Sequence, residues 1–118
     1  MKVLPAMMVP VLLATLPACS MRKQPADGST GEQIYRDSAC ATCHGEDLLG
    51  TGSAPTLLGL AENWEREALV EFLFEPSAFR KGNKRLVKLD LQFSADMPGF
   101  ANLSDDERDR LAGFLLAQ

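Results

Sequence analysis

Cys40-Ala41-Thr42-Cys43-His44 sets two thiols three positions apart with an imidazole directly behind the second. In this C-x-x-C-H spacing a pair of cysteines can bond covalently to a haem while the next side chain ligates its iron. A C-x-x-C alone also suits a thioredoxin-like dithiol or half of a zinc site. The dithiol reading asks for a preceding strand and a βαβ pattern, and the residues before Cys40 read as a short helix. The zinc reading asks for four ligands, more Cys and His than three cysteines and one histidine leave once Cys19 is assigned elsewhere. Spacing and the shortage of residues for either rival thus point to haem attachment.

Outward from the motif, Gly31 to Ala39 predicts a helical stretch presenting Ile34 and Tyr35, with Thr30 as N-cap and Gln33 at the capping-box position. After His44, the run from Gly45 to Pro55 is rich in glycine and turn formers and predicts a loop wrapping one face of a haem. A second helix is expected from about Asn63 to Phe74, capped by Asn63, with Leu69, Phe72 and Leu73 inward and Pro76 as its stop. Ser104-Asp105-Asp106-Glu107 reads as a capping box whose acids suit a helix N-terminus, followed by Leu111, Phe114 and Leu115 at helical spacing. Between them, Val87, Leu89, Leu91 and Phe93 alternate with Lys88, Asp90 and Gln92, and this period of two predicts an extended segment.

A haem iron with histidine on one side needs a second axial donor, and the single histidine excludes a second imidazole from this chain. Methionine is the natural candidate. Met1, Met7 and Met8 fall in the N-terminal apolar run and Met21 in a polar stretch, which leaves Met97. Pro98 restricts the backbone before it, so the thioether is offered from a loop with little freedom.

The N-terminus carries Lys2 and then an apolar run from Val3 to Ala18 broken by three prolines. That is shorter than the roughly 20 residues of a membrane-spanning helix and reads as a secretory signal, residues 1–18. Leu16-Pro17-Ala18-Cys19 resembles the lipobox of bacterial lipoproteins, with Cys19 the acylated residue and Pro17 a departure from the usual pattern; the alternative is an ordinary signal peptide in which Cys19 is a small apolar residue. Ser20, where an inner-membrane retention signal commonly shows Asp, points that resemblance to the outer membrane. Residues 19–30 read as a flexible tether spanning roughly 18 Å, and residues 31–118 as one small domain. Without Lys2 the chain has 11 basic and 16 acidic residues, a charge of −5 that disfavours nucleic acid as a partner.

From Gly31 to Gln118 the chain closely resembles monohaem cytochrome c domains of the class I type, here in a bacterial lipoprotein-anchored form. The carrying residues are Gly31, Tyr35, the haem motif with Gly45, Ala54-Pro55-Thr56-Leu57, Trp64, Pro76, Met97-Pro98 and the terminal helix. The resemblance implies a mainly α fold with crossing N- and C-terminal helices around one covalent haem c, Gly31 allowing close approach to the helix that carries Phe114. It implies thioethers at Cys40 and Cys43, axial ligation by His44 and Met97, and a Pro55 carbonyl accepting from the ligand imidazole. Leu57, Phe93 and Phe100 are candidate haem walls, and Trp64 suits a haem propionate or the core equally.

The function expected is periplasmic one-electron transfer to and from redox partner proteins, with a lipid anchor to the membrane and no catalytic residue of its own. Two alternatives remain at this point. One is a gas or peroxide sensor, or a small haem subunit of a larger oxidoreductase, in which Met97 is displaceable; the other is a haem-free lipoprotein. Arg80, Lys81, Lys84, Arg85 and Lys88 form a basic run suited either to an acidic partner or simply to solvent.

Overall fold

The computed structural model describes residues 28–118. The expected signal segment, Cys19 and most of the tether lie outside the described residues. What is described is helical, with no strand among the described residues: α1 (Gly31–Asp37), α2 (Cys40–His44), a 3-10 turn (Leu60–Glu62), α3 (Arg66–Phe74), α4 (Pro76–Arg80), α5 (Lys84–Gln92) and α6 (Asp105–Leu116).

Local chemistry starts the first and last helices. The Thr30 hydroxyl accepts from the Gln33 amide at 3.2 Å, and the Gln33 side chain accepts from the Thr30 amide at 2.7 Å. Ser104 and Glu107 repeat the arrangement at α6 with two bonds of 3.1 Å. Each box satisfies amides that the first turn of a helix leaves unpaired. α1 and α6 then cross at Gly31, where a Cβ would stand 2.3 Å from the Arg110 carbonyl oxygen and 2.5 Å from the Phe114 Cβ. Only glycine lets the two backbones meet this closely. Around the crossing, Ile34, Tyr35, Leu111, Ala112 and Leu115 join Leu69 and Leu73 of α3 in one buried core.

α3 packs along α6, and Arg66 reaches across to Asp109 with two parallel bonds of 2.7 and 2.9 Å. The second helix starts later than its sequence predicts: Glu65 is extended, α3 begins at Arg66, and Asn63 closes the 3-10 turn instead of capping α3. Pro76 ends α3 by opening α4, because the first helical position needs no amide proton.

The predicted extended segment is α5, a helix. Asn83 caps it, its side-chain oxygen accepting from the Arg85 and Leu86 amides at 3.0 and 3.2 Å. Leu86 is buried, Leu89 and Phe93 are half-buried, and Val87 and Leu91 face solvent. The inward set therefore follows the i, i+3, i+7 spacing of a helix.

Candidate functional site

Ala39 adopts left-handed backbone (φ 61°) and turns the chain out of α1, so that α2 begins at Cys40. Three residues on, Cys43 lies one turn along the same side of the helix. Both cysteines are half-buried and unbridged. Burial pushes the Cys40 thiol up to about 11, with the neighbouring Cys43 adding to the rise against a backbone hydrogen bond. A dithiol oxidoreductase needs the opposite shift, toward thiolate, so the environment argues against that reading.

His44 is buried, and its Nδ1 stands 2.8 Å from the Pro55 carbonyl oxygen. A carbonyl can only accept, so Nδ1 carries the proton and Nε2 keeps the lone pair with which an imidazole binds a metal. Burial lowers the His44 pKa, the Pro55 carbonyl opposing it, and the ring is held in its neutral, ligating form.

The carbonyl is placed by the loop that follows. Gly50 N donates to His44 O at 2.8 Å and the Thr51 hydroxyl to Cys43 O at 2.6 Å, so the loop also closes the C-terminal end of α2. Leu57 N and the Thr56 hydroxyl both donate to Leu48 O, at 2.8 and 3.1 Å. Gly50 lies at φ 84°, and a Cβ there would sit 2.6 Å from Thr56 N and 2.7 Å from the Pro55 carbonyl carbon. From the other side the Tyr35 hydroxyl donates to Gly45 O at 2.6 Å. Tyr35 is pushed up to about 12, by burial first and then by the fields of Cys40 and Asp47.

Met97 follows α5 on an irregular segment, half-buried and packed on the core. Arg80 Nη2 donates to its carbonyl at 3.3 Å, and Nη1 of the same guanidinium lies 3.5 and 3.4 Å from carboxylate oxygens of Asp90 and Asp96. Phe100 N donates to Leu73 O at 2.8 Å, and Ala95 N to Ser53 O at 3.3 Å. The last bond joins the segment carrying Met97 to the loop carrying Pro55. Leu57 and Phe100 pack on the core, while Phe93 is half-buried. Trp64 sits tilted in an aromatic cluster, its ring centroid 4.9 Å from that of Phe72 and 6.1 Å from that of Phe79.

Among the described residues no three His, Cys, Asp or Glu side chains converge on a point. A neutral imidazole fits a metal whose other donors come from a macrocycle, and two adjacent thiols fit its covalent attachment. A family model for cytochrome c matches residues 29–118, from just before α1 to the last residue. The chain belongs to the cytochrome c family.

Cytochrome c membership implies covalently bound haem c and makes the chain an electron-transfer protein instead of a catalyst, on the mainly helical fold described above. This cytochrome c is also similar to a thiosulfate dehydrogenase electron acceptor of Stutzerimonas stutzeri (strain A1501), 34% identical over 107 residues, covering 83% of the chain and 42% of the relative. The chain thus spans about two fifths of the length of that curated relative. No solved structure matches.

Three supports of the site escaped the sequence reading: the Arg80 clamp, the Tyr35 to Gly45 bond, and the link from Ser53 to Ala95. Each joins residues at least 10 positions apart, and all three end on backbone carbonyls that no residue type announces.

Proposed function

We propose that this cytochrome c is an exported one-electron carrier with one haem c, joined through Cys40 and Cys43 and ligated by His44 and Met97. The observation that carries the reading is the His44 Nδ1 to Pro55 bond of 2.8 Å, which aims a neutral imidazole's free lone pair from within C-x-x-C-H. When bound, the haem iron supplies a centre that alternates between Fe(III) and Fe(II). The chain's own residues fix the donors on either side. The loop after α2 orients His44, and Arg80, Leu73 and Ser53 hold the backbone around Met97. Two strong-field donors leave no position for a substrate, which favours electron transfer over sensing or peroxide chemistry.

Around this domain, residues 31–118, we place a signal peptide at 1–18 and a tether at 19–30 with Cys19 acylated. The protein then works on the periplasmic side of the outer membrane, within reach of other redox proteins. Likeness to a thiosulfate dehydrogenase electron acceptor supports a dehydrogenase as donor. The test is spectroscopic, on protein matured in a host that attaches c-type haem. Wild type is expected to be low-spin, to show the thioether-to-iron band at the red end of the oxidised spectrum, and to bind little CO when reduced. Met97→Ala is expected to lose that band and gain CO binding. A wild-type spectrum without the band refutes His/Met ligation.

A further inference from the structure

Within the described residues, every arginine except Arg85 lies in an ion pair: Arg36 with Glu32, Arg66 with Asp109, Arg80 with Asp90 and Asp96, Arg108 with Asp105, and Arg110 with Asp106. Among the described residues, the cations without a carboxylate partner fall in one short stretch. Lys81, Lys84 and Lys88 are exposed, and Arg85 lies over the Trp64 ring at 5.4 Å. The same stretch holds the most exposed large apolar side chain among the described residues, Leu91 at 84%, with Val87 at 45%. On α5, at about 100° per residue, Val87, Leu91, Lys84 and Lys88 occupy one contiguous outward strip, opposite Leu86 and Leu89. α4 is the one helix, among the described residues, on which α5 packs. The strip is thus an apolar pair flanked on one side by unpaired positive charge and on the other by Asp90, which Arg80 neutralises, on a chain that is acidic as a whole.

We propose that this outward strip of α5 is the docking face for an acidic redox protein. A second copy of the chain fits poorly, since two such strips would set Lys84 and Lys88 against their own kind. A membrane surface has only one valine and one leucine to take in, while small, transient electron-transfer contacts need little more than a short apolar centre and steering charge. Arg80 ties α5 to the Met97 carbonyl through Asp90, so a partner docked here stands on a helix braced against the proposed iron-ligand loop. The inference rests on the carrier reading: the partner's reduced centre loses one electron, the haem iron goes from Fe(III) to Fe(II), and no atom is transferred.

The experiment uses the haem-loaded protein with a small acidic flavodoxin as probe. Rates of haem reduction by the reduced probe are measured across ionic strength, and binding of the oxidised, unreactive probe is mapped by amide chemical shifts. Lys84→Glu/Lys88→Glu is expected to slow reduction about tenfold or more at low salt, converging with wild type at high salt. Lys88→Glu is expected to act several-fold more strongly than Arg36→Glu, which changes net charge equally on α1. Val87→Ser/Leu91→Ser is expected to weaken binding about threefold to tenfold while leaving the salt slope intact. Binding shifts should centre on residues 81–91. Equal rates and binding for all variants, with dithionite still reducing the haem normally, overturn the docking face and leave the carrier intact. Failure of every donor to reduce the wild type overturns the carrier reading itself. Binding of phosphatidylglycerol vesicles abolished by Lys84→Glu/Lys88→Glu, with the probe unaffected, assigns the strip to a membrane and overturns the proposal, as does α5-dependent dimerisation in sedimentation velocity.

Discussion

Gly31→Ala tests the crossing on which the fold depends. An ordinary contact for the added methyl needs about 3.4 Å, and the Arg110 carbonyl oxygen stands at 2.3 Å and the Phe114 Cβ at 2.5 Å. Both neighbours belong to α6 itself, so the strain cannot be relieved by turning a side-chain end, and the helices must part by about 1 Å. That gap opens beside Ile34 and Leu111, the two largest fully buried side chains among the described residues. Overpacking of this kind costs roughly 1–3 kcal/mol, and alanine's helical advantage over glycine returns at most about 1 kcal/mol. Taking the upper part of that range, the net loss is about 2 kcal/mol. In urea, with a slope of about 2 kcal/mol per molar, the midpoint of the haem-loaded protein falls by about 1 M. Gly52→Ala is the control, since a Cβ at that position would meet nothing within 4 Å, and it should stay within about 0.5 kcal/mol of wild type. A Gly31→Ala midpoint at or above the wild-type value refutes the close crossing.

Three further expectations concern single groups. Because the Tyr35 pKa is raised from 10.0 to about 12, the unfolded chain loses this proton first. Its contribution is complete below pH 10 and is lost as pH rises toward 12; urea midpoints in that window should slope less steeply for Tyr35→Phe, which also forfeits about 1 kcal/mol from the bond to Gly45 at neutral pH. Leu86→Ser should cost about 2 kcal/mol or more and Leu91→Ser less than about 0.5 kcal/mol, since one side chain is buried and the other exposed; equal costs would mean that residues 84–92 do not form the helix described. Arg108 is 5% exposed, donates to the Phe100 and Leu103 carbonyls and to Asp105, and lies over the Phe74 ring. Arg108→Ala should cost about 3 kcal/mol by thermal or urea unfolding, with no rescue by lysine, whose one nitrogen cannot occupy both Nη positions from which these acceptors are served.

The parts legible in the sequence are those whose cause is local. Thr30 with Gln33, and Ser104 with Glu107, satisfy each other across three residues, so the starts of α1 and α6 can be read without tertiary information. Cys40, Cys43 and His44 are likewise legible, because their chemistry lies in their spacing. The segment 86–93 is misread because leucine at 89 and phenylalanine at 93 belong to both an alternating and a helical pattern. Leu86 and the Asn83 cap decide between them, and Val87 and Leu91, apolar yet exposed, mislead. Arg108 sits in a run of charged residues, and no residue of that run marks it as buried. Its burial follows from the carbonyls of Phe100 and Leu103, whose position depends on how the Met97 segment returns to α3. The bond between Arg66 and Asp109 spans 43 residues, and no local pattern encodes it.

The single bond from Ala95 N to Ser53 O gives the two sides of the site a shared mechanical history. A displacement of the loop that aims His44 can then reach the segment carrying Met97 directly, as well as through the core on which both pack. Were iron held by His44 and Met97 as proposed, the two axial bonds would then cease to be separate adjustments. A loop variant chosen to retune the imidazole side should retune the thioether side with it, so that potential and ligand strength evolve as one property of this chain.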